Sequence, residues 1–492
     1  NQSDTSKKDE LTIRYKLNWD INETTDVNFL LSRVDMDDPA DIWTIDGSLN
    51  TLSDRPGMDS QETDSYGIKI TKNFDNFDIQ SFTSITKTDV IFSYDADWGN
   101  SESHFPYTYD YFSKTLRNRD TFSQEVRFLS KNKDLTEQDK LQWIFGIDIS
   151  ELEEKNITRD DGIYGDPSDP YSPYVSESVV SRNYEAENLS LFGNIDYFLS
   201  ENHKLAFGLR WENWDSKYND SNQESFNPSD NMNGGKISLI KNNDNSNIYF
   251  SIARGYKQGG FNLGLDATDN SIKNSLIYDP EFLTNYEIGL SSNNNDSTLN
   301  YSAVFFFSKR EDQQVLISRQ VDPTDPNTFS YLTQNAAEGE NYGIEVSSEY
   351  FVRDNLNLFF NFGLLKTKIK NWESRIDLEN RAQAHAPERT YSFGTNLDIN
   401  NNLYLKIDIN GKSSFYYSDS HDNKSKSYQL VNLTLGYSKA NFVTDVWIRN
   451  LFDEYYSTRG FYFGNEAPNF IDTLYRRQGD PKNIGISLRY DF

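Results

Sequence analysis

The sequence has no cysteine in its 492 residues, so a disulfide framework and any thiolate metal or redox centre are excluded. No stretch approaches the roughly 20 consecutive apolar residues that a membrane-spanning helix requires, which excludes helical membrane proteins but not β-barrels. Cations are also scarce, because 48 Lys and Arg face 76 Asp and Glu and leave a net charge of -28. Nucleic acid is therefore not expected as a partner, since it binds to basic surfaces.

Signals of catalysis and of metal binding are missing as well. The four histidines, His104, His203, His385 and His421, are widely scattered, and no pair has the spacing of metal ligands. No serine stands in a Gly-x-Ser-x-Gly context, and the acidic residues are too numerous for a pair of carboxylates to carry information. We therefore expect neither an enzyme nor a resident metal or cofactor.

What the chain does have is aromatic residues. Only 36% of the residues are hydrophobic, yet 15% are aromatic, with 31 Tyr and 33 Phe. This composition is too polar for a large packed core and too aromatic for a disordered chain. A barrel with a wet interior and aromatic girdles fits both features. No break in composition marks a linker, so residues 1–492 are expected to form one architecture.

The last eleven residues show the pattern on which the fold prediction depends. Apolar residues alternate with polar ones, as in a strand with two different faces. In a soluble sandwich the apolar face would turn inward, whereas in a membrane barrel it faces lipid and the final strand closes on the first. The apolar set is Ile484, Ile486, Leu488, Tyr490 and Phe492, and the polar set is Gly485, Ser487, Arg489 and Asp491.

The same alternation recurs along the chain from Glu10 onward, in about nineteen segments of the length that a tilted membrane strand needs. Tight turns and long polar loops alternate between them, which favours an all-β transmembrane antiparallel barrel over a soluble propeller or sandwich. If the last strand runs towards the periplasm, an odd count makes the first strand run the same way. Plugged transporters have 22 strands, so we expect about 19 of 22, with three strands preceding Asn1; a miscount by one is the alternative.

Several motifs then point to a family. The segment Asn450-Leu451-Phe452-Asp453 and the ending from Gly479-Asp480-Pro481-Lys482 to Phe492 resemble the last two strands of TonB-dependent outer-membrane receptors, of the iron-complex or siderophore type. Interior matches follow the family's order over most of the chain. They are Phe122 to Arg127, Arg254 to Asn262, Tyr278 to Glu281, Asn285 to Leu290, Asn335-Ala336, Gly343 to Glu345 and Ala386 to Glu388.

The resemblance implies a receptor in the outer membrane of a Gram-negative bacterium that imports a ferric siderophore with energy from the TonB complex. Iron would then be carried as a chelated ligand and not as a cofactor. Expected partners are outer-membrane lipid and lipopolysaccharide, and the barrel-assembly machinery through the strand that ends at Phe492. The family's plug domain and TonB box are not recognisable in residues 1–492, so this chain is expected to be an N-terminally incomplete barrel that meets TonB through a plug outside it.

Two loops rich in aromatic residues are the candidate ligand contacts, because flat rings and hydroxyl donors suit an aromatic or hydroxamate chelate. Interfacial girdle or simple loop packing is the alternative for the same residues. The negative net charge favours a cationic or neutral ligand. The candidates are Trp98, His104, Tyr107, Tyr109 and Tyr111 on one loop, and Tyr164, Tyr171 and Tyr174 on the other.

Other functions remain open at this point. The chain could be a passive outer-membrane pore or a non-functional barrel fragment, because a large barrel without a plug would leak. The same barrel also serves importers of haem, vitamin B12 or oligosaccharide. An outer-membrane lipase or protease is disfavoured, because those barrels are much smaller.

Overall fold

A computed structural model describes residues 5, 7–131, 140–263, 276–293, 298–320 and 329–491. In this part of the chain, no helix is long and apolar enough to cross a bilayer. A 3-10 helix spans Glu373–Leu378. The strands are β1 (Glu10–Asn22), β2 (Thr25–Pro39), β3 (Met58–Asn73), β4 (Phe77–Asp95), β5 (Thr108–Ser130), β6 (Leu141–Gly165), β7 (Tyr174–Ser200), β8 (His203–Asp220), β9 (Ser225–Phe226), β10 (Ser229–Asn243), β11 (Ser246–Lys257), β12 (Gly260–Phe261), β13 (Ile277–Tyr278), β14 (Glu281–Asn293), β15 (Leu299–Gln320), β16 (Phe329–Arg353), β17 (Leu356–Lys370), β18 (Arg389–Asp398), β19 (Leu403–Lys412), β20 (Tyr428–Lys439), β21 (Phe442–Arg449), β22 (Ser457–Phe463), β23 (Thr473–Gln478) and β24 (Asn483–Tyr490).

The described strands form one large antiparallel sheet in which each long strand pairs with the next one along the chain. The sheet has 20 strands, of which β9 has only two residues. The other nineteen are the predicted strands, so the predicted all-β architecture and the strand count are confirmed. Two short hairpins, β12–β13 and β22–β23, stand apart from it.

The cross-strand register shows that the alternation places apolar side chains on one face. Leu31 lies opposite Tyr66, and farther along the sheet Ile288 lies opposite both Phe250 and Phe305. These five side chains are 46% to 52% exposed, although they are large and apolar. An exposed apolar belt of this kind fits a lipid environment, where outward-facing residues of a barrel contact hydrocarbon.

The opposite face of the same strands is polar. The Oγ atoms of Ser84 and Ser123 lie 2.7 Å apart. Arg210 lies 3.0 Å from Glu212 and 3.6 Å from Asp148. Polar groups that pair with one another on the inner face are what the wet interior of a large barrel requires.

Within the described residues, the first and last strands of the large sheet do not pair with each other. In the described residues β24 pairs with β21 and β1 pairs with β2, but no register joins β24 to β1. The reason is directional, because in an antiparallel meander the first and the nineteenth strand run parallel. They cannot complete an antiparallel ladder, which needs an even number of strands. Phe492, the predicted end of the closing strand, lies outside the described residues.

The two ends of the sheet differ as predicted. Short turns join strands at one end, for example at residues 201–202, 244–245, 354–355 and 440–441. At the other end, which we call the mouth, the connections are long and include residues 40–57, 96–107, 371–388, 413–427 and 450–482. The turn between β5 and β6 includes residues 132–139, which lie outside the described part. The mouth is where side chains from distant parts of the sequence meet.

Several strands reach farther towards the mouth than the sequence predicts. β5 begins at Thr108 and not near Asp120, so Tyr109 and Tyr111, which were expected on a loop, lie in a strand. The segment Lys155 to Ser181 is expected to be a loop, but β6 continues to Gly165 and β7 begins at Tyr174. The ladder between them runs up to the pair Tyr164 and Tyr174. Apolar alternation ends where the strands leave the lipid zone, while backbone hydrogen bonding continues, so hydrophobic periodicity alone underestimates these strands.

Candidate functional site

The hairpin β22–β23 lies in the connection between β21 and β24, at the mouth of the sheet. Because alternate side chains of a strand point to opposite faces, the hairpin has two distinct sides. Phe461 lies opposite Tyr475 on one side, and Gly460 lies opposite Arg476 on the other. We call this element the central hairpin.

The first side of the central hairpin packs on two tryptophans from other connections. Trp43 stacks on Phe461 with ring centroids 4.5 Å apart and on Trp98 at 5.3 Å. Trp98 also meets the edges of Phe463 at 5.5 Å and Tyr475 at 5.4 Å. Aromatic pairs of this kind contribute about 0.5–1.5 kcal/mol each beyond their buried area. The connections after β2 and β4 are thereby attached to the hairpin.

The second side packs on the connection between β19 and β20. A Cβ atom at Gly460 would lie 2.6 Å from Cδ2 of Tyr417, so only glycine permits this close approach. The hydroxyl of Tyr417 bonds to Oγ of Ser457, and the ring of Tyr462 lies 5.6 Å from that of His421. The hairpin is therefore held between two layers of loops.

A cavity of about 500 Å³ lies between the central hairpin, strand β15 and the connections that follow β17 and β19, and we call it the mouth cavity. Its volume is within the range of about 300–1,000 Å³ that is usual for small-molecule sites. Five of the nineteen lining residues are Tyr or Phe, and the wall also holds two histidines, an aspartate and an arginine. The residues that line it are Tyr109, Gln313, Gln314, Val315, Leu316, Ala384, His385, Tyr417, Ser418, Asp419, Ser420, His421, Arg459, Gly460, Phe461, Tyr462, Phe463, Gly464 and Asn465.

The two imidazoles of the cavity favour the neutral form. Desolvation, followed by the charge of Arg459, lowers the pKa of His385. Desolvation, followed by the charge of Arg381, lowers the pKa of His421. Burial raises the pKa of the Asp419 carboxyl, which accepts the backbone N–H of Ala384 at 3.0 Å. The wall of the cavity therefore combines two neutral imidazoles with one carboxyl group, that of Asp419, whose charged form is disfavoured by burial.

Arg381 organises the connection that carries these groups. Its guanidinium donates to the carbonyl oxygens of Ser418, at 3.0 Å, and His421, and it lies 3.2 Å from Asp422. Its carbon atom also lies 3.9 Å from the ring centroid of Tyr416. With so many partners, Arg381 fixes the loop and is not free to contact a ligand.

A second polar cluster lies behind the tryptophans. Oδ1 of Asp97 lies 3.1 Å from Nε2 of His104, and its Oδ2 accepts the backbone N–H of Tyr111 at 2.7 Å. Burial raises the pKa of Asp97, but the hydrogen bonds from His104, Tyr111 and Gly99 outweigh it and hold the pKa below its ordinary value. Burial raises the pKa of Asp41, which accepts the backbone N–H of Asp95 at 3.0 Å. These groups hold the connections after β2 and β4 together.

The structure brings some of the predicted ligand contacts together and separates others. Of the eight, only Tyr109 lines the mouth cavity. Its ring lies 5.1 Å from those of both His104 and Tyr111, and 6.3 Å from that of Tyr164. Trp98 lies in the aromatic stack, and Tyr107 donates its backbone N–H to the carbonyl of His104 at 2.9 Å.

The remaining two lie on the β6–β7 hairpin. Tyr171 is 83% exposed, and the hydroxyl of Tyr174 donates to Asp169 at 2.6 Å. Neither residue lines the mouth cavity. Ligand contact by any of the eight stays a prediction.

Sequence reasoning missed most of the ionisable wall of the cavity. His385, Asp419, His421 and Arg459 come from three separate connections, and no local pattern links them. The only hint in the sequence is the aromatic run from Phe461 to Phe463. Within the described ranges, no three His, Asp or Glu side chains converge as a metal site.

Comparison with known proteins gives a family match over most of the chain. The family model described as TonB dependent receptor-like, beta-barrel matches residues 3–451. The pesticin receptor of Yersinia enterocolitica is 22% identical over 423 residues, which cover 83% of this chain and 57% of that protein. The chain thus spans little more than half of the length of that relative.

Solved structures agree on the fold. The ferric yersiniabactin uptake receptor FyuA from Yersinia pestis superposes with a TM-score of 0.77 at 18% identity, covering 98% of this chain and 71% of FyuA. The siderophore receptor PiuA from Acinetobacter baumannii gives a TM-score of 0.75 at 17% identity, covering 99% and 75%. The copper transporter OprC gives 0.70 at 14% identity, covering 98% and 72%. At these identities the likeness concerns the fold alone.

Proposed function

Because the chain belongs to the TonB-dependent receptor-like β-barrel family, we propose that it forms the barrel of an outer-membrane receptor that takes up a ferric siderophore with energy from TonB. The observation that carries this proposal is the mouth cavity. It lies at the end of the barrel with the long connections, has a small-molecule volume of about 500 Å³, and has an aromatic wall that suits an organic chelate. FyuA is named as a ferric yersiniabactin uptake receptor and PiuA as a siderophore receptor, which supports the same ligand class.

A chelate fits the wall better than a bare metal ion. A protein site for a bare ion needs several converging side-chain ligands, and the residues that the structure describes contain no such set of His, Asp or Glu. The likeness to a copper transporter therefore does not extend to a recognisable ion site here. Aromatic rings and neutral imidazoles instead suit the organic periphery of a chelate.

Energised uptake is tested in the native bacterium under iron starvation. Cells lacking the gene should lose most uptake of radioactive iron supplied as the ferric chelate from their own culture medium, and the intact gene should restore it. A protonophore should abolish the restored uptake, because TonB depends on the proton-motive force. Undiminished uptake in the deletion strain would exclude this receptor function. Uptake that survives the protonophore would instead support a passive pore.

A further inference from the structure

The polar cluster behind the tryptophans contains three buried aspartates. Asp41 comes from the connection after β2, Asp95 is the last residue of β4, and Asp97 follows it. Their exposed fractions are 6%, 1% and 1%. Asp95 lies well beyond the lipid-facing Ile85 of the same strand, so the cluster is outside the lipid zone. Three ionised carboxylates buried together are unfavourable, because each loses its hydration and repels the others.

Hydrogen-bond donors reach both oxygens of two of these carboxylates. Oδ1 of Asp97 accepts the backbone N–H of Gly99 at 2.9 Å, and its Oδ2 accepts that of Tyr111 at 2.7 Å. Asp41 accepts two backbone N–H groups, one of which is that of Gly57. Hydrogen bonds of this kind stabilise the charged form of a carboxyl group. Asp41 and Asp97 are therefore surrounded as carboxylates are.

The carboxyl group of Asp95 has fewer donors. Its Oδ2 accepts from Oγ of Ser53 at 2.7 Å and makes a long bond of 3.5 Å with the backbone N–H of Arg55. Its Oδ1 is buried and has no hydrogen-bond partner within the described part of the chain. The carboxyl lies within hydrogen-bonding reach of that of Asp97. Two carboxyl groups can form a hydrogen bond only if one of them holds a proton, and the donor count assigns that proton to Asp95.

The surrounding charges do not neutralise the pair by another route. The guanidinium of Arg55 lies 3.0 Å from Asp110 and 2.6 Å from Asp161, so its charge is already paired. Within the described ranges, no three His, Asp or Glu side chains could hold a metal ion in place of the proton. The ionisable groups around the pair are Asp41, Asp54 and Arg55 from the connection after β2, His104 from the connection after β4, and Tyr109, Asp110 and Tyr111 from β5.

We propose that Asp95 and Asp97 share one proton, which holds the connections after β2 and β4 together and makes the mouth sensitive to pH. When the proton leaves, three buried charges repel one another, and the connections relieve this repulsion by opening to water. The backbone carbonyl of Asp97 accepts the side-chain amide of Asn465, so the central hairpin rests on the same cluster. This device goes beyond the proposed uptake and does not depend on which ligand is taken up.

The direction of the pH effect follows from linkage. Burial raises the pKa of Asp95 to about 7, and the charge of Asp97 adds to this against the hydrogen bond from Ser53. The stabilisation is complete below the ordinary pKa of 3.8 and is lost as pH rises towards about 7. Asp97 has a lowered pKa and loses its contribution only at acidic pH. The pKa values of Asp41 and Asp54 are raised and act in the same direction as that of Asp95, so variants must separate them.

Hydrogen exchange of the intact receptor in detergent micelles tests the proposal. Between about pH 5.5 and about pH 7.5, exchange of residues 40–57 and 96–107, corrected for intrinsic rates, should become about 10- to 30-fold faster, because the open state releases the proton that the closed state keeps. Asp95→Asn should remove this dependence, since the amide is neutral and can donate to Asp97. The matched control is Asp54→Asn, which removes an exposed charge from the same connection and should retain the dependence.

Infrared spectroscopy of the same samples detects the proton itself. The wild type should show the carbonyl stretch of a protonated carboxyl group that disappears around pH 7, and Asp54→Asn should retain this band while Asp95→Asn lacks it. If Asp95→Asn does not fold, the wild-type spectrum alone decides, and a missing band overturns the proposal.

Two results of the exchange experiment would also overturn it. The first is exchange in the wild type that does not change with pH. The second is a change that persists in Asp95→Asn. If that change also disappears in His104→Gln, the imidazole and not the aspartate pair is the group that responds to pH.

Discussion

The side-chain amide of Asn465 donates a 2.9 Å hydrogen bond to the backbone carbonyl of Asp97, across 368 residues of sequence. Both residues are nearly inaccessible, at 3% and 1% exposure. Asp97 belongs to the connection after β4, and Asn465 follows strand β22 of the central hairpin. The bond therefore links the position of the hairpin to that of a distant loop, and Asn465 itself lines the mouth cavity.

Replacing Asn465 with alanine should release the central hairpin without unfolding the barrel. A buried carbonyl left without its donor costs about 1–3 kcal/mol. The free energy needed to open the mouth locally should fall by the same amount. Hydrogen exchange of residues 457–478 should become roughly 5- to 100-fold faster. Asn243→Ala is the control, because its bond to Ser246 is exposed at the turn end. Unchanged protection of residues 457–478 would contradict the link.

Replacing Trp98 should destabilise the central hairpin more than replacing Tyr171, although both were candidate ligand contacts. Trp98 packs against Trp43, Phe463 and Tyr475, so Trp98→Ala removes a group on which the hairpin rests. Because Trp98 is only partly buried, the cost should lie below the roughly 3–5 kcal/mol of a fully buried aromatic. Tyr171 is 83% exposed, and Tyr171→Ala should leave the mouth unchanged. Limited proteolysis should cut the central hairpin faster in Trp98→Ala than in Tyr171→Ala. Equal cleavage rates in the two variants would show that Trp98 does not hold the hairpin in place.

The sequence was sufficient for the barrel because lipid imposes a local rule. A lipid-facing residue such as Ile288 must be apolar while its neighbour Glu287 faces the interior, so the strand is visible in its own alternation. The mouth ends of β6 and β7 were missed because side chains beyond the lipid need not alternate between apolar and polar. Glu153, for example, lies opposite Glu185 in the ladder.

The site was harder to predict for a different reason. Trp98 and Tyr109 could be singled out because aromatic residues are dense in their own loop. The wall of the mouth cavity, by contrast, joins His385, His421 and Arg459 from three separate connections. Contacts between distant loops leave no periodicity or spacing in a single sequence, so only the folded arrangement reveals them.

Acidification should loosen the loops that carry the two cavity histidines. The pKa values of His385 and His421 are lowered from 6.5, so folding favours their neutral forms. The stabilisation is complete above the ordinary pKa and is lost as pH falls through the lowered one. Asp419 acts in the opposite sense, because a raised carboxyl pKa stabilises most below its ordinary value and less as pH rises.

The measurement is hydrogen exchange of residues 381–388 and 413–427, corrected for intrinsic rates, between about pH 7.5 and about pH 5.5. Protection should decrease at the lower pH in the wild type. The double variant His385→Gln, His421→Gln should lose this dependence, since glutamine does not titrate. An equal decrease in the double variant would assign the effect to groups other than the two histidines; Asp419 cannot cause it, because its raised pKa acts in the opposite direction.

The final prediction tests which face of the barrel meets lipid, with two adjacent residues of β15. Phe305 lies opposite Ile288 and Ile344 on the apolar face and is 52% exposed, whereas Val304 lies opposite Glu345 on the inner face. An arginine on the lipid face near the bilayer centre costs about 2–4 kcal/mol. Phe305→Arg should therefore reduce the free energy of unfolding from lipid bilayers by about that amount, measured by urea titration. Val304→Arg introduces the same charge beside Glu345 in the wet interior and should cost much less. If the two variants were equally destabilised, or Val304→Arg more so, the face that carries Phe305 would not be the one that contacts lipid.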